Sequence, residues 1–443
     1  MLAGCTRLAS RDDAFVTVAE TTTARLHQAL AWTRAPTASD APVALAGGTL
    51  TRAQALRIAL RDNPDLQARC EALGIALAEY RAAGQLSNPV VGWMTRVPDR
   101  APHGLNVEFE ILASLLEVLE RPARVRAQSL AVDEAVTTLS AAILNFAAEV
   151  DLTHFTLQAA LHKASLLAAL ATTAHRTATA AATLQRAGAL DRLSMLNQAL
   201  LAVTTDANVR KAGLAIVTAR NRYARVLGHL DSPSLPLPAS TLPSLPATPS
   251  QPEFPATLAL KQRLDLSAER QALAARAAHY QLTLDWRWWS TLQLGLSAEH
   301  GSDGQFVSGP RIEIALPLFD HKTPELERAA AELRQAQQQL AGHVLDIQNE
   351  ALLAAATVRQ RFELARHYRE QALPLQRALE ATVHAQAQLG IVSRVELLTS
   401  QRAATRATIA YIDALRDYWL AEASLRRSLG GGDTAGLVAW DEQ

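Results

Sequence analysis

Leu139–Leu161 reads LSAAILNFAAEVDLTHFTLQAAL, and the spacing of its apolar residues decides the fold. Leu139, Ile143, Phe146, Val150, Leu157 and Leu161 keep alternating steps of three and four, with His154 filling the seam between Val150 and Leu157. That is a coiled-coil-like stripe, in which one face of a long helix meets a neighbouring helix. Leu340–Val358 (LAGHVLDIQNEALLAAATV) carries a second copy through Leu340, Val344, Ile347, Ala351, Ala354 and Val358. Small residues in the stripe let helices approach closely. Working outward, helical pattern continues from about Pro122 to Ala187. A helix of about 65 residues is roughly 100 Å long at its usual rise. Shorter helices near 51–86 and 191–228 add to roughly 110 Å if stacked end to end. Globular helices average about 11–12 residues, so helices this long, paired antiparallel, make a rod or a tube wall.

The chain is written twice. Asp65-Leu66, Ala72-Leu73 and Tyr80 recur 200 residues later as Asp265-Leu266, Ala272-Leu273 and Tyr280. Gly188, Arg192 and Leu227-Gly228 recur 202 residues later as Gly390, Arg394 and Leu429-Gly430. A period this long lies outside the solenoid range and implies a duplicated domain. Residues 50–230 form the first repeat and 257–430 the second, each reading helix, β-hairpin, long helix, return helix. The first helix opens at Thr51 with Gln54 three residues on, a capping-box pattern, and Asn63-Pro64 breaks it. Between the repeats, 231–256 is a linker: Ser232–Pro255 holds eight prolines and cannot continue a helix. Residues 1–49 read as an irregular N-terminal strap, and 431–443 as a tail.

Where the helical period stops, a period of two takes over in hairpins at 90–112 and 291–318. Val107, Phe109 and Ile111 alternate with Glu108 and Glu110; Leu292, Leu294 and Leu296 with Gln293, Gly295 and Ser297; Ile312, Ile314 and Leu316 with Glu313 and Ala315. An apolar face opposite a carboxylate face suits a barrel wall with lipid outside and water inside. Four strands cannot close such a barrel, which needs about eight or more, so several chains must contribute. Trp286, Trp288 and Trp289 sit just before the third strand. They suit a membrane-interface belt, and equally a packed helix–strand junction.

Composition narrows the function. Aromatics are 5% and charged residues 19% of the 443 residues, with no net formal charge. Such a chain favours packed helices and lacks the basic excess that nucleic acid demands. No uninterrupted apolar run approaches the roughly 20 residues of a spanning helix, so a membrane crossing would require a closed barrel. His-Glu-x-x-His, phosphate-loop and Gly-x-Ser-x-Gly motifs are all missing, so neither an enzyme nor a cofactor or metal site is expected. His154 and His162 lie two turns apart on one helix and read as ordinary hydrogen-bonded or exposed histidines. The two cysteines are Cys5 and Cys70. Leu2-Ala3-Gly4-Cys5 resembles a bacterial lipobox, which makes Cys5 a candidate lipidation site. Only Met1 precedes Leu2, so the basic and apolar regions of a secretory signal are not seen.

Over roughly residues 50–430 the chain resembles the TolC-type outer-membrane factor (outer-membrane efflux protein) family. The resemblance rests on Asn63-Pro64, on Leu316-Pro317-Leu318-Phe319 leaving the fourth strand, on the Gly-led turns at Gly188 and Gly390, and on the ending from Tyr411 through Tyr418 to Leu429-Gly430. It implies a mainly α protein that forms a homotrimer, with an α-barrel of paired helices and a shared 12-stranded transmembrane β-barrel. The implied role is a passive duct for small molecules, drugs or metal ions, in a tripartite efflux or type I secretion system. It implies as partners a periplasmic adaptor (membrane-fusion) protein, an inner-membrane pump of the resistance-nodulation-division or ABC class, and outer-membrane lipid. The periplasmic tip, closed at rest, would lie at Gly188, Asp191 and Arg192 and at Gly390, Ser393 and Arg394, where the adaptor would dock. Glu396 matches an acidic tip-gate position, while Thr399 replaces a second acid three residues on. Leu112-Ala113-Ser114-Leu115 stands where the first repeat would carry its Leu-Pro-Leu-Phe. A soluble periplasmic coiled-coil scaffold and a protein-secreting relative are the alternatives.

Overall fold

A computed structural model describes residues 11–28, 49–97, 99–100, 104–229, 236–288, 291–316 and 318–431. The chain is mainly α with one antiparallel sheet. In order it runs α1 (Arg11–Leu26), α2 (Arg52–Asp62), α3 (Pro64–Gly84), β1 (Val90–Arg96), β2 (Asn106–Ser114), α4 (Leu115–Arg186) and α5 (Arg192–Val226). The second half follows with α6 (Pro255–Gln262), α7 (Leu264–Trp286), β3 (Leu292–His300), β4 (Phe306–Ile314), α8 (Thr323–His367), α9 (Leu373–Gln388) and α10 (Arg394–Ser428). Two compact units each draw on both halves. One contains 71–139 and 264–344 with the first 18 residues; the other contains 19–70, 140–263 and 345–443.

The first unit holds the sheet, ordered β1-β2-β3-β4 with every pair antiparallel. Each hairpin supplies two neighbours, and the inner strands β2 and β3 join the hairpins, with Phe109 opposite Ala298 and Ile111 opposite Leu296. Strands β1 and β4 are edges. Arg124 donates to the carbonyls of Ala83 and Gln85, satisfying the C-terminal end of α3.

In the second unit the seam of α4 is core: Ile143, Val150 and Leu157 are fully buried, as are Ile347, Ala351 and Val358 of α8. Thr51 caps α2 through a complete capping box with Gln54. Asn63 breaks the helix because Pro64 lacks an N–H, and its side chain bridges to the carbonyls of Arg225 and Val226. Gly228 lies against Asp62 so closely that an added Cβ would meet its carbonyl oxygen at 2.3 Å. Gly430 repeats this approach on Gln262. Here Arg25 of α1 does the bridging, donating to the carbonyls of Gln262 (2.9 Å) and Gly430 (2.7 Å). Residues 236–254 form no helix and are pinned from outside. Trp419 donates to Pro243 O (3.0 Å), Arg369 to Leu245 O (3.0 Å), and Ser250 to the fully buried Glu422 (2.6 Å).

Several sequence expectations need correction. The N-terminal strap is not wholly irregular: α1 forms because Ala14, Val18 and Thr22 fall at four-residue steps and are buried. The first long helix starts at Leu115, not Pro122. Ser114 caps it by accepting from the Glu117 N–H (3.3 Å), and Pro122 is accommodated inside it. The second long helix is interrupted by a π-helical turn at Tyr368–Ala372, which ends two residues before Pro374. A proline there cannot donate to the preceding turn, and widening the helix absorbs the mismatch. Part of α4 is long and apolar enough to cross a membrane by length and composition alone, as the core helix of a protein can also be.

Candidate functional site: a two-faced sheet and two matched helix turns

Directly opposed residues in an antiparallel sheet share a face, so the register assigns every strand side chain. The strands contain six charged residues: Arg96, Glu108, Glu110, Glu299, Arg311 and Glu313. All six fall on one face. Met94 opposes Glu108 and Glu108 opposes Glu299; Arg96 opposes Asn106; Gly295 opposes Arg311 and Gln293 opposes Glu313. The charges are tied across the strands. Arg96 pairs with Glu108 (3.1 Å), Arg311 bridges Glu110 and Glu313, and Asn106 donates to Glu299 (2.7 Å).

The other face carries Val91, Trp93, Val107, Phe109, Ile111, Leu294, Leu296, Ile312 and Ile314, broken only by Thr95, Ser308 and His300. Trp93 is 77% exposed and Leu296 67%. An apolar area of this kind, left uncovered by its own chain, marks contact with lipid or another protein. β2, β3 and β4 have nine residues each, at the lower end of the 9–11 that a tilted transmembrane strand needs.

The aromatic cluster lies at the sheet's helix-joined end. Trp286 closes α7 and is half-buried; Trp288 is 49% exposed and tilts against His321 (5.6 Å between ring centroids). Arg287 stacks over Trp288 at 4.8 Å. Trp289 lies outside the described residues.

The turns at Gly188 and Gly390, both in the second unit, are built alike. Gly188 has φ +73° and Gly390 φ +74°. Ala189 N–H bonds to Leu184 O and Gly188 N–H to Gln185 O; Ile391 N–H bonds to Gln386 O and Gly390 N–H to Ala387 O. Each is a Schellman ending, which needs a left-handed residue at the glycine. Three residues after each glycine comes an N-cap. Asp191 Oδ1 accepts from Ser194 N–H (2.8 Å), and Ser393 Oγ from Glu396 N–H (3.2 Å). The Ser194 hydrogen bonds hold the Asp191 carboxyl below the usual carboxylate range. Arg192 and Glu396 are exposed in the first turns of their helices. Arg394 opens α10; its side chain lies outside the described residues.

No family model matches the chain, and no curated protein sequence matches it. Solved structures do. The outer membrane protein VceC of Vibrio cholerae aligns at TM-score 0.70 with 17% identity, over 86% of this chain and 96% of that one. The Campylobacter jejuni CmeC outer membrane channel aligns at 0.71 with 13% identity, over 87% and 89%. The open state of the Neisseria gonorrhoeae MtrE outer membrane channel aligns at 0.69 with 17% identity, over 86% and 89%. The chain has the fold of the TolC-type outer-membrane channels.

Within this TolC-type fold some residues were invisible to the sequence reading. Arg402 is buried in α10, where it donates to Thr399 Oγ1 (2.8 Å) and reaches α5 at Gln198 Oε1 (3.2 Å). His175 pairs with Asp206 (2.9 Å), joining α4 to α5. Asp191 and Ser393 were read as turn residues, and their capping role emerges only with the backbone. Cys5 lies outside the described residues, and Cys70 is buried. Among the described residues, no group of three His, Cys, Asp or Glu gathers as a metal site.

Proposed function

We propose that this chain is one protomer of a trimeric outer-membrane duct that passes small molecules outward without chemistry of its own. One observation carries the reading: every charged strand residue lies on one face, and the opposite face is apolar and uncovered. Water on one side and lipid on the other satisfies both faces. Four strands with two open edges are half of the smallest known barrel, so identical copies complete the wall. Three copies give twelve strands. The two repeats, 50–230 and 257–430 with the 231–256 linker between them, are read as a duplication, and the matching turns and glycine approaches support this.

The turns at Gly188–Arg192 and Gly390–Arg394 are the proposed docking point for a periplasmic adaptor, and Glu396 the proposed acidic ring at the tip. An inner-membrane pump supplies the energy, and Cys5 is the proposed lipid anchor. Membrane fractionation tests the reading against a soluble coiled-coil scaffold. An integral barrel stays with outer membranes through an alkaline carbonate wash and is released only by detergent, whereas recovery in the wash rejects the proposal.

A further inference from the structure

At the sheet's helix-joined end, exposed apolar side chains neighbour two cations along the chain. Leu292 and Ile314, opposed in the register, end the apolar face. The chain leaving β4 continues outward with Leu318 and Phe319, exposed at 70% and 97%. Trp288 lies alongside through its ring contact with His321, and Arg287 stacks on its indole. A stacked guanidinium keeps its N–H edge available for an oxyanion. Lys322 follows His321 directly; its backbone N–H, not its ammonium, bonds to Asp320.

Arg96 and Arg311 of the sheet each pair with carboxylates. Among the described residues, neither Arg287 nor Lys322 has a carboxylate within ion-pair reach. Exposed apolar side chains, an indole and cations without an ion-pair partner are the groups met on passing from hydrocarbon through the interface into phosphate.

We infer that this rim, through Arg287 and Lys322 with Trp288 and Phe319 beside them, binds the headgroups of anionic phospholipid in the periplasm-facing leaflet. The inference rests on the outer-membrane reading above. Two cations near an anionic surface, each contributing about 1 kcal/mol, give an expected preference of roughly thirtyfold for anionic over zwitterionic lipid.

Native mass spectrometry of the delipidated full-length protein in detergent, titrated with phosphatidylglycerol or phosphatidylethanolamine, tests it. The expected result is tighter phosphatidylglycerol binding that falls to parity in Arg287→Gln/Lys322→Gln, while Phe319→Ser weakens both lipids. Parity in the unmodified protein, or a preference that survives the double substitution, overturns the inference and leaves the duct reading standing. Protein that never enters membranes or detergent micelles overturns both.

Discussion

At the scale of single residues, the turn glycines and His154 carry the clearest consequences. An added Cβ at Gly390 would meet nothing within 4 Å, so only the backbone conformation resists substitution. A left-handed residue with a side chain costs roughly 1–2 kcal/mol, and a β-branched one more. Gly390→Val is therefore expected to speed amide hydrogen exchange around the turn and to weaken adaptor capture. Unchanged exchange and capture would mean that the turn is not the docking tip. His154 is 3% exposed and accepts or donates at Tyr223 OH (3.0 Å). Burial first, and the charge of Arg52 second, push its pKa down from 6.5 to about 4. Arg52 is itself held by Asp151 (2.7 Å). The unfolded chain binds the proton more readily, so folding is favoured above pH 6.5 and loses about 3 kcal/mol as pH falls to 4. Thermal unfolding in detergent across that window should show the loss, and His154→Gln should flatten it; an unaltered slope would remove His154 from the account. The sequence placed His154 in the seam because the stripe ran through it. It could not reveal Tyr223 or Arg52, which arrive from other helices.

At the scale of elements, the sheet makes a one-sided prediction. Ile312 lies on the apolar face opposite Leu294, and Gln293 on the polar face opposite Glu313. Arginine on the lipid side of a barrel costs about 2–4 kcal/mol near the midplane. Ile312→Arg should lower the thermal stability of the detergent-extracted assembly, whereas Gln293→Arg should be nearly silent. Equal effects would mean that the faces do not separate lipid from water. The strands were legible because alternation writes both faces into one line of sequence. Helix ends were less so. Ser114 starts α4 by a side-chain cap and Pro122 is carried inside the helix, while Pro374 follows a π-helical turn instead of a break. Helix α1 was missed because its Thr- and Val-rich sequence masks a stripe at four-residue steps.

At the scale of the whole molecule, duplication explains both what is shared and what differs. Gly188 and Gly390 end helices through the same hydrogen bonds, and Gly228 and Gly430 approach the same kind of backbone. The repeats diverge where one must do what the other delegates. Asn63 bridges its own helix junction, while the second junction has Arg263 in that place, which turns to Glu350 (2.5 Å), and Arg25 bridges instead. Repeated residues announced the symmetry in the sequence. The delegation to Arg25 is a contact across 405 positions that no local pattern encodes.

The central claim is that a four-stranded sheet with two open edges is completed by identical chains. Mass measurement of the purified protein in detergent tests it most directly. The account predicts a particle of three chains, each of 47.7 kDa. A stable monomer of that mass, with its apolar sheet face covered by its own helices, would contradict it.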